Sequence, residues 1–190
     1  RRRDMKEKRF TIYQICFMAL MTAILCILAP MSVPVGPVPV TLATMVIYFT
    51  VYVIGPWAGT GSVCIYIMLG IAGLPVFSGY AGGLGKIAGP TGGYIVGYIF
   101  MALIGGVIIE KTRRNIWAAM LAWVLGTAVL YAFGTAWYIY LTNSSLAGAL
   151  GLCVLPFIPG DIAKIVLGTL IGKAVRAALV RGNVMTAAAK

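Results

Sequence analysis

Phe157-Ile158-Pro159-Gly160-Asp161-Ile162-Ala163-Lys164 opens an apolar run that continues to Val180. Proline is tolerated in the first turn of a helix, so the run predicts a helix beginning at Pro159 or Gly160 and roughly one bilayer thickness long. Residues i and i+3 share a helix face, which places Asp161 and Lys164 side by side. In a membrane helix both lie at lipid depth. A charge near the bilayer centre costs roughly 2.5 to 3.5 kcal/mol on insertion scales, so such residues face a cavity, a partner or a ligand.

Five further apolar runs precede it: Phe10 to Ala29, Val40 to Ile54, Trp57 to Leu74, Gly92 to Ile109 and Ile116 to Leu141. A span needs ~20 residues, and only the second run is somewhat short. Of 190 residues, 61% are hydrophobic and 10% charged, and mean hydropathy is +0.99; soluble domains carry about 25% charged residues. The expected fold is an all-α membrane protein, a compact bundle of six transmembrane helices. It forms a single membrane domain over residues 1–190, with a short basic segment at 1–9, spans between about 10 and 180, and a tail at 181–190. Basic residues precede the first run as in a secretory signal, but no small-residue cleavage site precedes Pro30, so the run is expected to remain as a span. The chain opens on Arg1 rather than Met, as expected if the natural start lies upstream.

The formal net charge is +11, yet its distribution argues against nucleic acid as a partner. Arg1 to Arg9 holds six basic residues, Lys111, Arg113 and Arg114 follow the fourth run, and Lys173, Arg176 and Arg181 end the sixth. With both termini cytoplasmic, all three clusters fall inside, as the positive-inside rule expects, and the loops on the other side contain only Lys86. The partner implied by this pattern is the lipid bilayer. Cys16, Cys26, Cys64 and Cys153 are scattered with no C-x-x-C spacing, and histidine is absent. They read as small hydrophobic filler, and no metal or haem site is expected.

Pro30, Pro34, Pro37 and Pro39 keep the first connection out of a helix, as a stiff connector or as the wall of a ligand cavity. The connection from Gly73 to Tyr94 is dense in glycine, which suits a loop folding over a ligand. It is no Walker A loop, because Gly85-Lys86 is followed by Ile87 rather than Ser or Thr. Asn143, Ser144 and Ser145 begin an apolar connection continuing to Pro156, expected to lie against protein or headgroups. Small-residue pairs recur at Ala19/Ala23, Gly93/Gly97 and Gly168/Gly172. Most read as internal helix packing, with Ala19 and Ala23 a docking face if that side looks outward.

The order and spacing of Gly36-Pro-Val-Pro-Val-Thr41, Gly70-Ile-Ala-Gly-Leu-Pro-Val-Phe77, Gly82-Gly-Leu-Gly85, Gly89-Pro-Thr-Gly-Gly-Tyr94 and Phe157-Ile-Pro-Gly-Asp161-x-x-Lys164 resemble the BioY family. These are the biotin-specific substrate-binding (S) components of energy-coupling-factor (ECF) ABC transporters, and the resemblance runs from about Ala19 into the sixth span. It implies a prokaryotic plasma-membrane protein that captures biotin at the outer face. Uptake is then powered by a membrane-embedded coupling (T) subunit and two cytoplasmic ATPase subunits. It carries the family's P-G-D-x-x-K residues onto Asp161 and Lys164, and its alanine contact with the coupling subunit onto Ala19 and Ala23. The chain departs from a common T-L-Q-T pattern at Ala43, and from an asparagine and an arginine of some relatives at Ala81 and Ile95.

Biotin presents two ureido N–H donors, a carbonyl acceptor, an apolar thioether ring and a carboxylate tail. Ionised Asp161 accepts from a ureido N–H, and Lys164 donates to a carbonyl or a carboxylate. The bland reading is a pair that neutralises itself. Phe77, Tyr80 and Tyr94 are candidate ring walls, and Gly82 and Gly83 candidate points of close backbone approach. No cofactor is expected on this chain: biotin is cargo, and ATP acts only through partners. An aspartyl enzyme needs two carboxylates sharing a proton, and Glu110 sits at the opposite membrane face from Asp161, so no enzyme is expected. The rival readings are a binding subunit for another vitamin and a stand-alone small-solute transporter.

Overall fold

The computed structural model describes residues 11–182, so the basic segment at 1–9 and most of the tail lie outside the described residues. Each of the six apolar runs forms a helix. The first, α1 (Ile12–Leu28), begins where the Thr11 N–H donates to Gln14 Oε1 at 3.0 Å. The proline-rich connection forms a small hairpin, β1 (Ser32–Val33) antiparallel to β2 (Val40–Thr41), with Ser32 opposite Thr41. Thr41 Oγ1 accepts from the Ala43 N–H at 3.3 Å, and α2 (Ala43–Ile54) starts there. Gly55, at φ +91°, turns the chain directly into α3 (Pro56–Ile71), whose first residue is the proline that such a start accommodates.

The glycine-rich connection carries one short helix, α4 (Leu84–Ala88), before α5 (Gly92–Lys111). Every long helix contributes to the hydrophobic core, and α5 packs along α6 (Ile116–Thr142) at a spacing set by glycine. A Cβ on Gly93 would stand 2.4 Å from Trp137 Cβ and 2.7 Å from the Phe133 carbonyl oxygen; on Gly105 it would meet the Trp123 ring at 2.4 Å. Gly97 and Gly134 make the same kind of approach to Leu130 and Tyr94. The apolar connection after Thr142 is a helix, α7 (Leu146–Cys153), where a loop was expected; the Ser145 hydroxyl caps it by accepting from the Gly148 N–H. The last helix, α8 (Ile158–Arg181), starts one residue before the expected proline and crosses α2, with Gly168 against Met45 and Tyr48 and Gly172 against Tyr52.

Helix α2 is thus the buried centre of the fold, and its C-terminal carbonyls need partners. Arg114 Nη1 donates to the Tyr52 carbonyl, Arg176 Nη1 to the Val53 carbonyl, and Tyr52 Oη to the Arg114 carbonyl at 3.0 Å. Cations are favoured at the negative end of a helix dipole. Burial, with the Arg176 charge beside it, pushes the Arg114 guanidinium down to about 10.

The outer surface is apolar, with Ile12, Trp117, Leu121 and Leu167 among its exposed side chains. By length and composition α5 and α6 can each cross a membrane, and α7 with α8, bent by 48°, would make a third span. Helices α1, α2 and α3 are apolar but have 17, 12 and 16 residues. Overpacking a close helix contact costs typically 1–3 kcal/mol. Gly93→Val should therefore lower the melting temperature of the detergent-solubilised protein, whereas Gly151→Ala, with nothing within 4 Å, should leave it unchanged. Equal melting of Gly93→Val and the parent chain would contradict the α5–α6 packing.

Candidate functional site

The first turns of α8 carry Asp161 and Lys164 into a cavity between α2, α5, α6 and α8, walled by the β1–β2 hairpin and the loop around Phe77 and Ser78. Both are buried, at 6% and 9% exposure. Lys164 Nζ donates to Asp161 Oδ1 at 2.9 Å, and Tyr131 Oη, from α6, donates to Asp161 Oδ2 at 2.5 Å. Each carboxylate oxygen therefore has one donor and a free lone pair, and the ammonium keeps two N–H groups unspent on Asp161. The carboxylate also sits in the first turn of α8, where the helix dipole favours an anion.

Aromatic side chains fix the walls through their own hydroxyls. Tyr66 Oη donates to the Val76 carbonyl at 3.0 Å, tying α3 to the loop, and its ring meets Phe77 edge-on at 5.7 Å. Tyr94 Oη donates to the Cys153 carbonyl at 3.0 Å and so pins the end of α7. Thr44, at the start of α2, lines the cavity, and its hydroxyl is buried without a protein partner. An unpartnered buried hydroxyl costs about 1–3 kcal/mol, which a ligand or water relieves. The free volume is about 50 Å³, room for a few waters.

The structure brings Asp161, Lys164, Phe77 and Tyr94 together, and Ala43 and Ile95 line the same cavity. Tyr80, Gly82 and Gly83 are not among the lining residues. Tyr80 is 66% exposed at φ +57°, on the tip of a turn closed by the Phe77–Ala81 bridge. Gly82 lies so close to the chain that a Cβ would stand 2.3 Å from the Leu74 carbonyl oxygen. Gly83, at φ +86°, donates its N–H to the Gly70 carbonyl at 2.7 Å. These glycines shape the loop that carries Phe77. Sequence reasoning missed Tyr131 and Thr44; the available signal was a hydroxyl inside an otherwise apolar run.

Ala19 and Ala23 lie exposed on α1, in an open apolar groove of about 380 Å³ shared with Ile15, Met18, Ile65 and Leu69. Beneath it the Thr22 hydroxyl donates to the Met18 and Ser62 carbonyls at 2.8 and 3.2 Å, locking α1 onto α3. Among the described residues no cluster of carboxylates and thiols is arranged to hold a metal.

The model of the BioY family matches residues 5–181. The chain is 35% identical to the biotin transporter BioY of Thermotoga maritima, over 80% of this chain and 89% of that protein. It is 36% identical to a probable biotin transporter BioY of Pyrococcus horikoshii, over 84% and 94% of the two chains. In three dimensions it is similar to the crystal structure of the S-component for biotin from an ECF-type ABC transporter. The TM-score is 0.81 at 31% identity, covering 86% of this chain and 90% of that one.

Removing one partner of a buried ion pair costs roughly 3–5 kcal/mol, because the other charge is stranded. Lys164→Met should therefore lower thermal stability sharply, and the double variant Asp161→Asn with Lys164→Met should recover most of the loss. A double variant no more stable than Lys164→Met alone would contradict the direct pairing.

Proposed function

The chain belongs to the BioY family, and from that premise we propose that it captures biotin at the outer face of the membrane as the S-component of an ECF-type ABC transporter. The observation that carries this reading is the Tyr131–Asp161–Lys164 cluster inside an aromatic-walled cavity. A cyclic urea presents N–H groups beside a carbonyl. The free lone pairs of Asp161 match the first and the unspent N–H groups of Lys164 match the second. Phe77, Tyr94 and Ile95 supply apolar wall for the fused rings. Tyr80, Gly82 and Gly83 act from the loop, by closing it over the bound ligand.

In this proposal all six long helices cross the plasma membrane in one domain, both termini are cytoplasmic, and the arginine-capped end of α2 faces inward. The clustering of Lys111, Arg113, Arg114, Lys173 and Arg176 at that end supports the orientation. The chain performs no chemistry on its cargo. Energy comes from two cytoplasmic ATPase subunits through a membrane-embedded coupling subunit, which seats on the groove at Ala19 and Ala23. Small side chains there allow close approach of another helix.

Hydrogen bonds to charged groups contribute about 1.5–3 kcal/mol. Asp161→Asn and Lys164→Ala are each expected to weaken biotin binding at least about tenfold in equilibrium dialysis with labelled biotin. Two folded variants with parental affinity would refute the site. Bulky replacement of both alanines, Ala19→Trp with Ala23→Trp, should leave binding intact and abolish uptake into vesicles containing the coupling and ATPase subunits. Undiminished uptake would remove the groove as the coupling face.

A further inference from the structure

The cavity that reads the ligand is electrically neutral. Among the described residues its lining holds one anion, Asp161, and one cation, Lys164, and these are bonded to each other at 2.9 Å. Every other lining residue is apolar or carries a hydroxyl or thiol. Ile95, which α5 contributes to the lining, is apolar and buried. The positive end of α8 is already engaged, since Asp161 occupies its first turn.

A carboxylate entering this space meets one cation, and the charge of that cation is already balanced by Asp161. It would have to draw Lys164 from Asp161 and strand a buried carboxylate, or lie beside Asp161 as a second anion in low dielectric. A neutral group with adjacent N–H and C=O faces neither cost. It joins the existing pair, accepting from Lys164 and donating to Asp161, and the Thr44 hydroxyl is free to add one more bond. Lys86, the other described cation at this end of the bundle, lies on α4 and is not part of the lining.

We propose that this cavity recognises the neutral cyclic-urea head alone, leaves the acid tail in water, and therefore binds neutral-tail derivatives of biotin, esters and amides, as well as it binds the free acid. The proposal rests on biotin being the ligand and adds the substrate class the site accepts. An exposed charge on a ligand left in solvent is worth at most about fivefold in affinity.

Competition against labelled biotin on the purified full chain tests this with three unlabelled compounds and one variant. Biotin methyl ester and biotinamide should compete within about fivefold of biotin, and the diamine lacking the ureido carbonyl should fail to compete. Lys86→Gln should bind biotin as the parent does. Labelled biotin that binds while the ester and amide compete more than about thirtyfold more weakly would overturn the proposal and leave the biotin assignment standing. A Lys86→Gln chain that binds biotin more weakly but its ester as before would overturn the proposal in the same way, and a diamine that competes as well as biotin would overturn the urea reading. Failure of labelled biotin itself to bind would instead refute the function on which the proposal rests.

Discussion

A carboxylate and an ammonium 2.9 Å apart, both buried at the head of one helix, set the terms for this end of the bundle. Charges in such a place are tolerated only when their hydrogen-bonding capacity is largely met. Tyr131 meets part of it from α6, and the dipole of α8 helps from below. The interaction is therefore also a fold constraint: α6 must present its hydroxyl where α8 begins, and α2 must be slim enough at Ala43 and Thr44 to leave the cavity open. What remains unspent on the pair is directional, acceptor sites on one member and donor sites on the other. A ligand with the reverse pattern complements the intact pair.

The rest of the bundle holds that geometry by close backbone approach. Gly168 and Gly172 let α8 lie against α2, and Gly93, Gly97 and Gly105 let α5 lie against the large side chains of α6. In a membrane, where burial of apolar surface gives no drive, such contacts replace the hydrophobic effect as the source of order. At the other end, two arginines satisfy the last carbonyls of α2. The central helix is consequently fixed at its C-terminus and offers an unpartnered hydroxyl, Thr44, near its N-terminus.

Much of this was legible in the sequence because membrane helices announce themselves by composition and because a buried charge is conspicuous. Asp161 and Lys164 stood out for that reason, and the segment that forms the hairpin stood out because its prolines exclude a helix. The i, i+4 glycines of α5 and α8 were legible too, since their spacing is a statement about one helix face. What the sequence could not give was long-range. Tyr131 lies thirty residues before Asp161, and nothing local distinguishes it from other tyrosines in apolar helices. Tyr80 is a candidate ring wall on sequence, and Gly82 and Gly83 candidate points of close approach, because glycine density marks a loop without saying which groups face inward; a tight turn sends Tyr80 outward and Phe77 inward. The helix after Asn143 was hidden because its residues, Leu146 to Cys153, are as apolar as a loop pressed against lipid would be.

Capture of biotin by this chain alone is put to the test by calorimetric titration of the purified, detergent-solubilised protein with biotin, and with thiamine and riboflavin in parallel, in the absence of nucleotide. Saturable binding of biotin at one site per chain is expected, with no heat of binding from the other two vitamins. A folded sample that binds thiamine or riboflavin in preference to biotin, or that binds none of the three, would contradict it.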